Sequence, residues 1–131
     1  MARPRNYGPT PAELEILRVL WERGPSTVRD VLEILKGSRR RAYTSVMSLM
    51  NVMVDKGLLS RDAQGRAFIY DAKVTRRNTR SHMLKDMLNR VFDGSANLMV
   101  AHLLEQANPN EEELKEIRRT VAGFLDQGER K

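Results

Sequence analysis

Gly24-Pro25, Gly37, Gly57, Gly65, Asp93-Gly94-Ser95 and Asn108-Pro109-Asn110 cut this chain into short segments, and these breaks limit what it can fold into. The segments read as three helices, one hairpin and three more helices. Thr10-Pro11-Ala12-Glu13 opens the first helix with a hydroxyl at the N-cap, proline at the first helical position and glutamate at the third. Leu14, Leu17, Leu20 and Trp21 then recur at helical spacing, which places Trp21 in the core and assigns Glu13, Glu15, Arg18 and Glu22 to the other face. Ser26 or Thr27 can cap a second, short helix that buries Val28, Val31, Leu32 and Leu35 and leaves Arg29, Asp30 and Glu33 outside.

The third helix, about residues 42–56, carries the most information. Val46, Leu49, Met50 and Met53 form one apolar stripe. Thr44, Ser48, Asn51 and Asp55 lie opposite, with Ser45 beside them. A helix face chosen only for solubility favours Glu and Lys, which are good helix formers, whereas short hydroxyl and amide side chains weaken a helix slightly and let it approach a partner closely. Thr44, Ser45, Ser48 and Asn51 are therefore candidates for reading base edges in a major groove, and the preceding Arg39-Arg40-Arg41 are candidates for holding phosphates. Tyr43 can touch phosphate or pack at the helix start.

After Gly57, residues 58–71 alternate (Ala67 and Ile69 against Phe68 and Tyr70) around Gln64-Gly65, the pattern of a β-hairpin with Arg61 and Arg66 flanking its tip. Three helices followed by a basic hairpin is the order of a winged helix-turn-helix domain, in which the hairpin is the wing. Arg61 and Arg66 join the phosphate candidates. Residues 1–74 are expected to form this domain, with Arg3 and Arg5 either a minor-groove arm or a plain tail.

Residues 75–131 are expected to form three further helices, which makes the chain mainly α with one small β-hairpin. Leu84, Met87 and Leu88 line the fourth helix and Leu98, Met99, Leu103 and Leu104 the fifth, which is apolar nearly all round. Leu114, Ile117, Val121 and Phe124 stripe the sixth. About 50 residues is near the size at which a single core is marginal. These side chains therefore read as a dimer interface; the alternative is that the segment packs back on its own N-terminal domain.

Composition narrows the function further. The 131 residues include no cysteine, which removes disulfides, thiolate metal sites and cysteine nucleophiles. The two histidines, His82 and His102, have no cluster of carboxylates around them, so no metal and no cofactor is expected. Neither histidine lies near a nucleophile turn, and no glycine-rich phosphate loop occurs, so no enzyme is expected. Net charge is +6, and the positive side chains concentrate in the first two-thirds of the chain, which favours a polyanionic partner. No run of residues is apolar enough to span a membrane and no secretory signal opens the chain, so a cytoplasmic location is expected. The function these features favour is binding of double-stranded DNA. A winged helix used for protein interaction is the alternative, and the exposed Thr44, Ser45 and Ser48 surface is poor in the aromatic anchors that such contacts favour.

Several stretches resemble the penicillinase-repressor family (BlaI/MecI-like regulators). They are Ala42-Tyr43-Thr44-Ser45-Val46-Met47 with Leu49-Met50-Asn51 and Asp55-Lys56-Gly57-Leu58, the hairpin Gly65-Arg66-Ala67-Phe68-Ile69-Tyr70, Glu13-Leu14-Glu15-Ile16-Leu17 with Trp21, and Thr27-Val28-Arg29-Asp30-Val31. The resemblance implies homodimers on a palindromic, inverted-repeat operator that repress β-lactamase-type resistance or other genes. It places Thr44, Ser45 and Ser48 on the bases and Arg41 and Arg66 on the backbone. Some members of that family are cut by a membrane sensor protease at an Asn–Phe bond. Here the matching region reads Val100-Ala101-His102-Leu103, so the resemblance does not extend to that bond. A copper-responsive branch uses a cysteine motif that this chain lacks. Val52 stands where many relatives carry arginine, which implies a different operator sequence.

Overall fold

The computed structural model describes residues 8–35 and 42–129. The elements run α1 (Pro11–Arg23), α2 (Val28–Leu35), α3 (Tyr43–Asp55), β1 (Leu59–Gln64), β2 (Ala67–Ala72), α4 (Arg76–Arg90), α5 (Ala96–Ala107) and α6 (Glu111–Glu129). The mainly helical class with one antiparallel hairpin agrees with the sequence. The chain forms two compact units, residues 1–86 and 87–131, with the division inside α4. No helix among the described residues is long and apolar enough to cross a membrane.

In the first unit the hydroxyl of Thr10 accepts the Glu13 N–H at 3.2 Å, and the Thr10 N–H donates to Glu13 Oε1 at 2.9 Å. Both halves of the capping box are therefore present, and two of the helix's orphan donors are satisfied. Glu13 differs from its expected place on the outer face: it is buried, and its second oxygen accepts a hydrogen bond from Lys56 Nζ at 2.8 Å. Burying that carboxylate is tolerable because both oxygens are paired. One side chain thus caps α1 and ties it to the C-terminal end of α3. Thr27, rather than Ser26, caps α2, again through reciprocal bonds, here with Asp30. The Thr27 backbone N–H and then its hydroxyl hold the Asp30 carboxyl below its ordinary pKa, helped by Arg23.

Ser26 has a different task. Its N–H and C=O exchange hydrogen bonds with Tyr70 at 2.9 and 2.8 Å, so the α1–α2 turn pairs with β2 beside the hairpin. Strands β1 and β2 run antiparallel from Leu59↔Ala72 to Gln64↔Ala67, which leaves a two-residue loop. Gly65 opens that loop at φ 64°, a conformation that glycine adopts without a Cβ clash.

The core gathers Ile16, Leu17 and Leu20 of α1, Val28, Val31 and Leu35 of α2, Val46, Met50 and Met53 of α3, then Leu58, Leu59 and Tyr70. Leu49 and Leu32 pack against it from its margin. Trp21, expected as core, also sits at the margin: its indole N–H donates to the Val74 carbonyl at 2.8 Å, and Arg76 lies over its ring. A buried indole needs an acceptor, and the chain entering α4 supplies one.

In the second unit Ser95 caps α5, Asn108 ends it in the left-handed region at φ 45°, and the Asn110 side chain caps α6. Phe92 and His102 meet edge to face. Among residues 87–128, not one side chain is buried.

Candidate nucleic-acid interface

The packing of α3 decides which of its polar side chains are available. Val46, Met50 and Met53 are fully buried, which fixes the rotation of the helix about its axis and turns Thr44, Ser45 and Ser48 outward. These three share a shallow surface concavity with Val52 and Ala12. Hydroxyls on a protruding helix can donate to or accept from base edges, and Val52 offers an apolar contact of the kind a thymine methyl accepts.

Asn51 is placed differently from these three. It is half-buried, and its Oδ1 accepts from the Tyr70 hydroxyl at 2.8 Å and from Arg61 Nη1 at 2.7 Å. Because Tyr70 is 1 % exposed and anchored to Ser26, this network joins α3 to the wing. Arg61 is further held over the Phe68 ring, 4.5 Å from its centroid. Its guanidinium is therefore preorganised rather than trailing in solvent. The hydrophobic alternation of β2 also resolves unequally: Tyr70 is core, whereas Phe68, two residues away on the same face, is exposed beneath Arg61.

A cleft of about 420 Å³ lies between the start of α2, the start of α3 and the wing, and Arg29, Tyr43, Arg66 and Phe68 are among its lining residues. Arg29 sits over the Tyr43 ring at 5.6 Å, and Tyr43 remains partly exposed. Two guanidinium side chains and a phenol at one cleft suit a phosphate diester, since arginine presents a planar fork of donors. Helical spacing places Arg29 on the outer face of α2 without marking it as a contact residue. The signal it carries is local: a cation in the first turn of a helix opposes the helix dipole. Arg39, Arg40 and Arg41, together with Arg3 and Arg5, lie outside the described residues.

The side chains read as an interface are largely uncovered. Leu84, in the first unit, is exposed, as are Met87, Leu98, Leu103, Leu114, Val121 and Phe124 in the second. Leu88, Met99, Leu104 and Ile117 are half-buried. Val100 and Leu125, on the apolar faces of α5 and α6, are exposed too. Among the described residues no group of acidic, histidine or cysteine side chains is placed to hold a metal ion.

The chain is similar to known repressors and transcriptional regulators. The family model for the penicillinase repressor matches residues 9–123. The penicillinase repressor of Bacillus licheniformis is 26% identical over 106 residues, covering 81% of this chain and 83% of that protein. The transcriptional regulator BlaI of Mycobacterium tuberculosis is 30% identical over 112 residues, covering 84% and 80% respectively. A MarR family protein from Bacillus stearothermophilus superposes at a TM-score of 0.49 and 21% identity, over 95% of this chain and 78% of that one, an overlap too loose to speak for its chemistry.

Proposed function

The chain belongs to the penicillinase repressor family of DNA-binding transcriptional regulators, and from that premise we propose that it represses transcription as a homodimer bound to an inverted-repeat operator. The observation that carries this reading is the outward hydroxyl face of α3, set beside a wing whose Arg61 is fixed by Asn51. In this proposal Thr44, Ser45 and Ser48 reach the bases of one half-site. Arg29, Tyr43, Arg61 and Arg66 hold the flanking phosphates and set the register of the helix in the groove, with Arg39, Arg40 and Arg41 as further phosphate contacts. Asn51 acts through Arg61 and Tyr70, as a positioning residue, with its oxygen turned to the wing.

The dimer follows from the second unit. A helical segment in which none of the described side chains is buried, and in which Leu103, Val121 and Phe124 are more than half exposed, lacks a core of its own. A second copy can supply the missing half through a two-fold contact, and the same two-fold relation matches two half-sites. The chain would then work in the cytoplasm, at its operator. Regulated genes of the β-lactamase-resistance or stress type are the targets the family membership suggests.

Selection of bound duplexes from a random pool, with stoichiometry measured on the recovered sites, tests the proposal. An inverted repeat carrying two chains is the expected result. Weak, salt-sensitive binding without sequence preference would favour an interaction module instead. Two substitutions separate the assigned roles. Arg66→Ala should weaken binding to operator and non-operator DNA alike and lower the slope of log affinity against log salt by about 1. Ser48→Ala should reduce discrimination for the operator by about 1 kcal/mol and leave non-specific affinity unchanged, because a hydroxyl on a base edge adds nothing to phosphate attraction. The salt slope and the specificity ratio read these two effects independently. An unchanged slope for the first variant, or unchanged discrimination for the second, would withdraw that residue's role.

A further inference from the structure

A cavity of about 360 Å³ lies within the first unit on residues that the DNA-binding reading does not use. Leu58 and Val74 contribute apolar lining and Pro9 part of the rim, while Lys56, Asn78, Thr79 and His82 bring polar groups to it. Thr79 is the unusual member. The residue is only 7 % exposed, yet its hydroxyl has no hydrogen-bond partner among the described residues. No buried side-chain oxygen or nitrogen among the described residues lacks a partner, so this hydroxyl reaches solvent, and it makes no bond to the carbonyl four residues earlier in its helix. Here it opens on the cavity instead.

The remaining polar groups narrow what could satisfy it. Lys56 offers an ammonium with three donors, of which one is given to Glu13. Asn78 and His82, both exposed at the edge, add an amide and an imidazole. The set is rich in donors above an apolar floor, which favours a ligand with a cluster of acceptor oxygens at one end and a compact apolar body at the other. We propose that this cavity binds a small organic carboxylate. Its oxygens meet Thr79, Asn78 and Lys56, and its body rests on Leu58 and Val74.

Lys56 gives the site a route to the recognition helix. It is the C-cap residue of α3 and the only described partner of the second Glu13 oxygen, so it links α3 to the start of α1. A ligand carboxylate bound through one of the two remaining donors shares the ammonium's charge and so weakens its attraction to Glu13. Occupancy then loosens the tie that helps hold α3 in place and weakens operator binding. This last step rests on the DNA-binding reading, whereas occupancy of the cavity does not.

Calorimetric titration of the full chain with sodium benzoate, sodium phenylacetate and uncharged benzamide, in the absence of DNA, tests the site. Benzoate or phenylacetate is expected to bind saturably, and about ten-fold more tightly than benzamide, since hydrogen bonds to a charged group are the stronger kind. Thr79→Val should weaken carboxylate binding about ten-fold. Its melting temperature should stay close to that of the parent, because the hydroxyl removed supports no bond in the fold. No saturable heat with either carboxylate, or equal affinity in the folded Thr79→Val chain, would overturn the site. A parallel titration of operator-bound protein reads the coupling. A fall in DNA affinity on adding benzoate, lost in Thr79→Val, is expected. Carboxylate binding with no change in DNA affinity would overturn the coupling while leaving the site.

Discussion

Tyr70→Ala is expected to destabilise the first unit by about 3–5 kcal/mol, the range for removing a large buried aromatic side chain. The ring is 1 % exposed and packs in the cluster that joins all three N-terminal helices to the hairpin. Its backbone pairs with Ser26 and its hydroxyl donates to Asn51, so the same residue anchors the wing at three points. Domains of this size have only about 5–15 kcal/mol in hand, so the alanine variant should be near unfolding at growth temperature. Urea unfolding followed by circular dichroism measures the effect. Tyr70→Phe isolates the hydroxyl and should cost about 1 kcal/mol, since Arg61 still donates to Asn51. A loss below about 1.5 kcal/mol in the alanine variant would mean the wing is held chiefly by its backbone pairing.

If the chain pairs as proposed, Leu103→Glu is expected to convert the proposed dimer to monomer and to lower operator affinity by about 100-fold or more. Leu103 is 57 % exposed in the single chain, so a carboxylate there meets water and leaves the first unit undisturbed. In a two-fold interface the same substitution places two negative charges on the partner's apolar surface, where each loses hydration without gaining a counter-ion. The affinity loss is large because linking two half-site contacts through one interface multiplies avidity by roughly 10²–10⁴. Sedimentation and operator titration read the two consequences separately. A variant that remains dimeric with full operator affinity would place the interface on another face.

Much of this organisation was written locally in the chain. The Thr10–Glu13 spacing specifies a capping box because a helix brings its third residue back over its N-cap, whatever the rest of the protein does. The stripe of Val46, Met50 and Met53 determines which face of α3 is buried, and by exclusion that Thr44, Ser45 and Ser48 are outside. Gly65 sets the hairpin loop, and the two-residue count sets the strand register. The uncovered apolar stripes of the last helices are likewise a property of spacing. Each of these follows from the period of one element, which neighbouring residues alone determine.

What the tertiary structure decided were the partners that meet across distance. Spacing puts Asn51 on the polar side of α3. Only the packing of β2 against the α1–α2 turn brings the Tyr70 hydroxyl and Arg61 within reach of its oxygen and turns that oxygen to the wing. Glu13 reads as a cap, and its burial against Lys56 depends on where α3 ends, forty-three residues later. Arg29 becomes part of a cleft with Tyr43 and Arg66 because three elements converge there, and Thr79 faces a cavity for the same reason. A helical or strand period fixes the direction of a side chain from its own axis. What it meets in that direction is set by how distant segments pack, and that information is spread over the whole core.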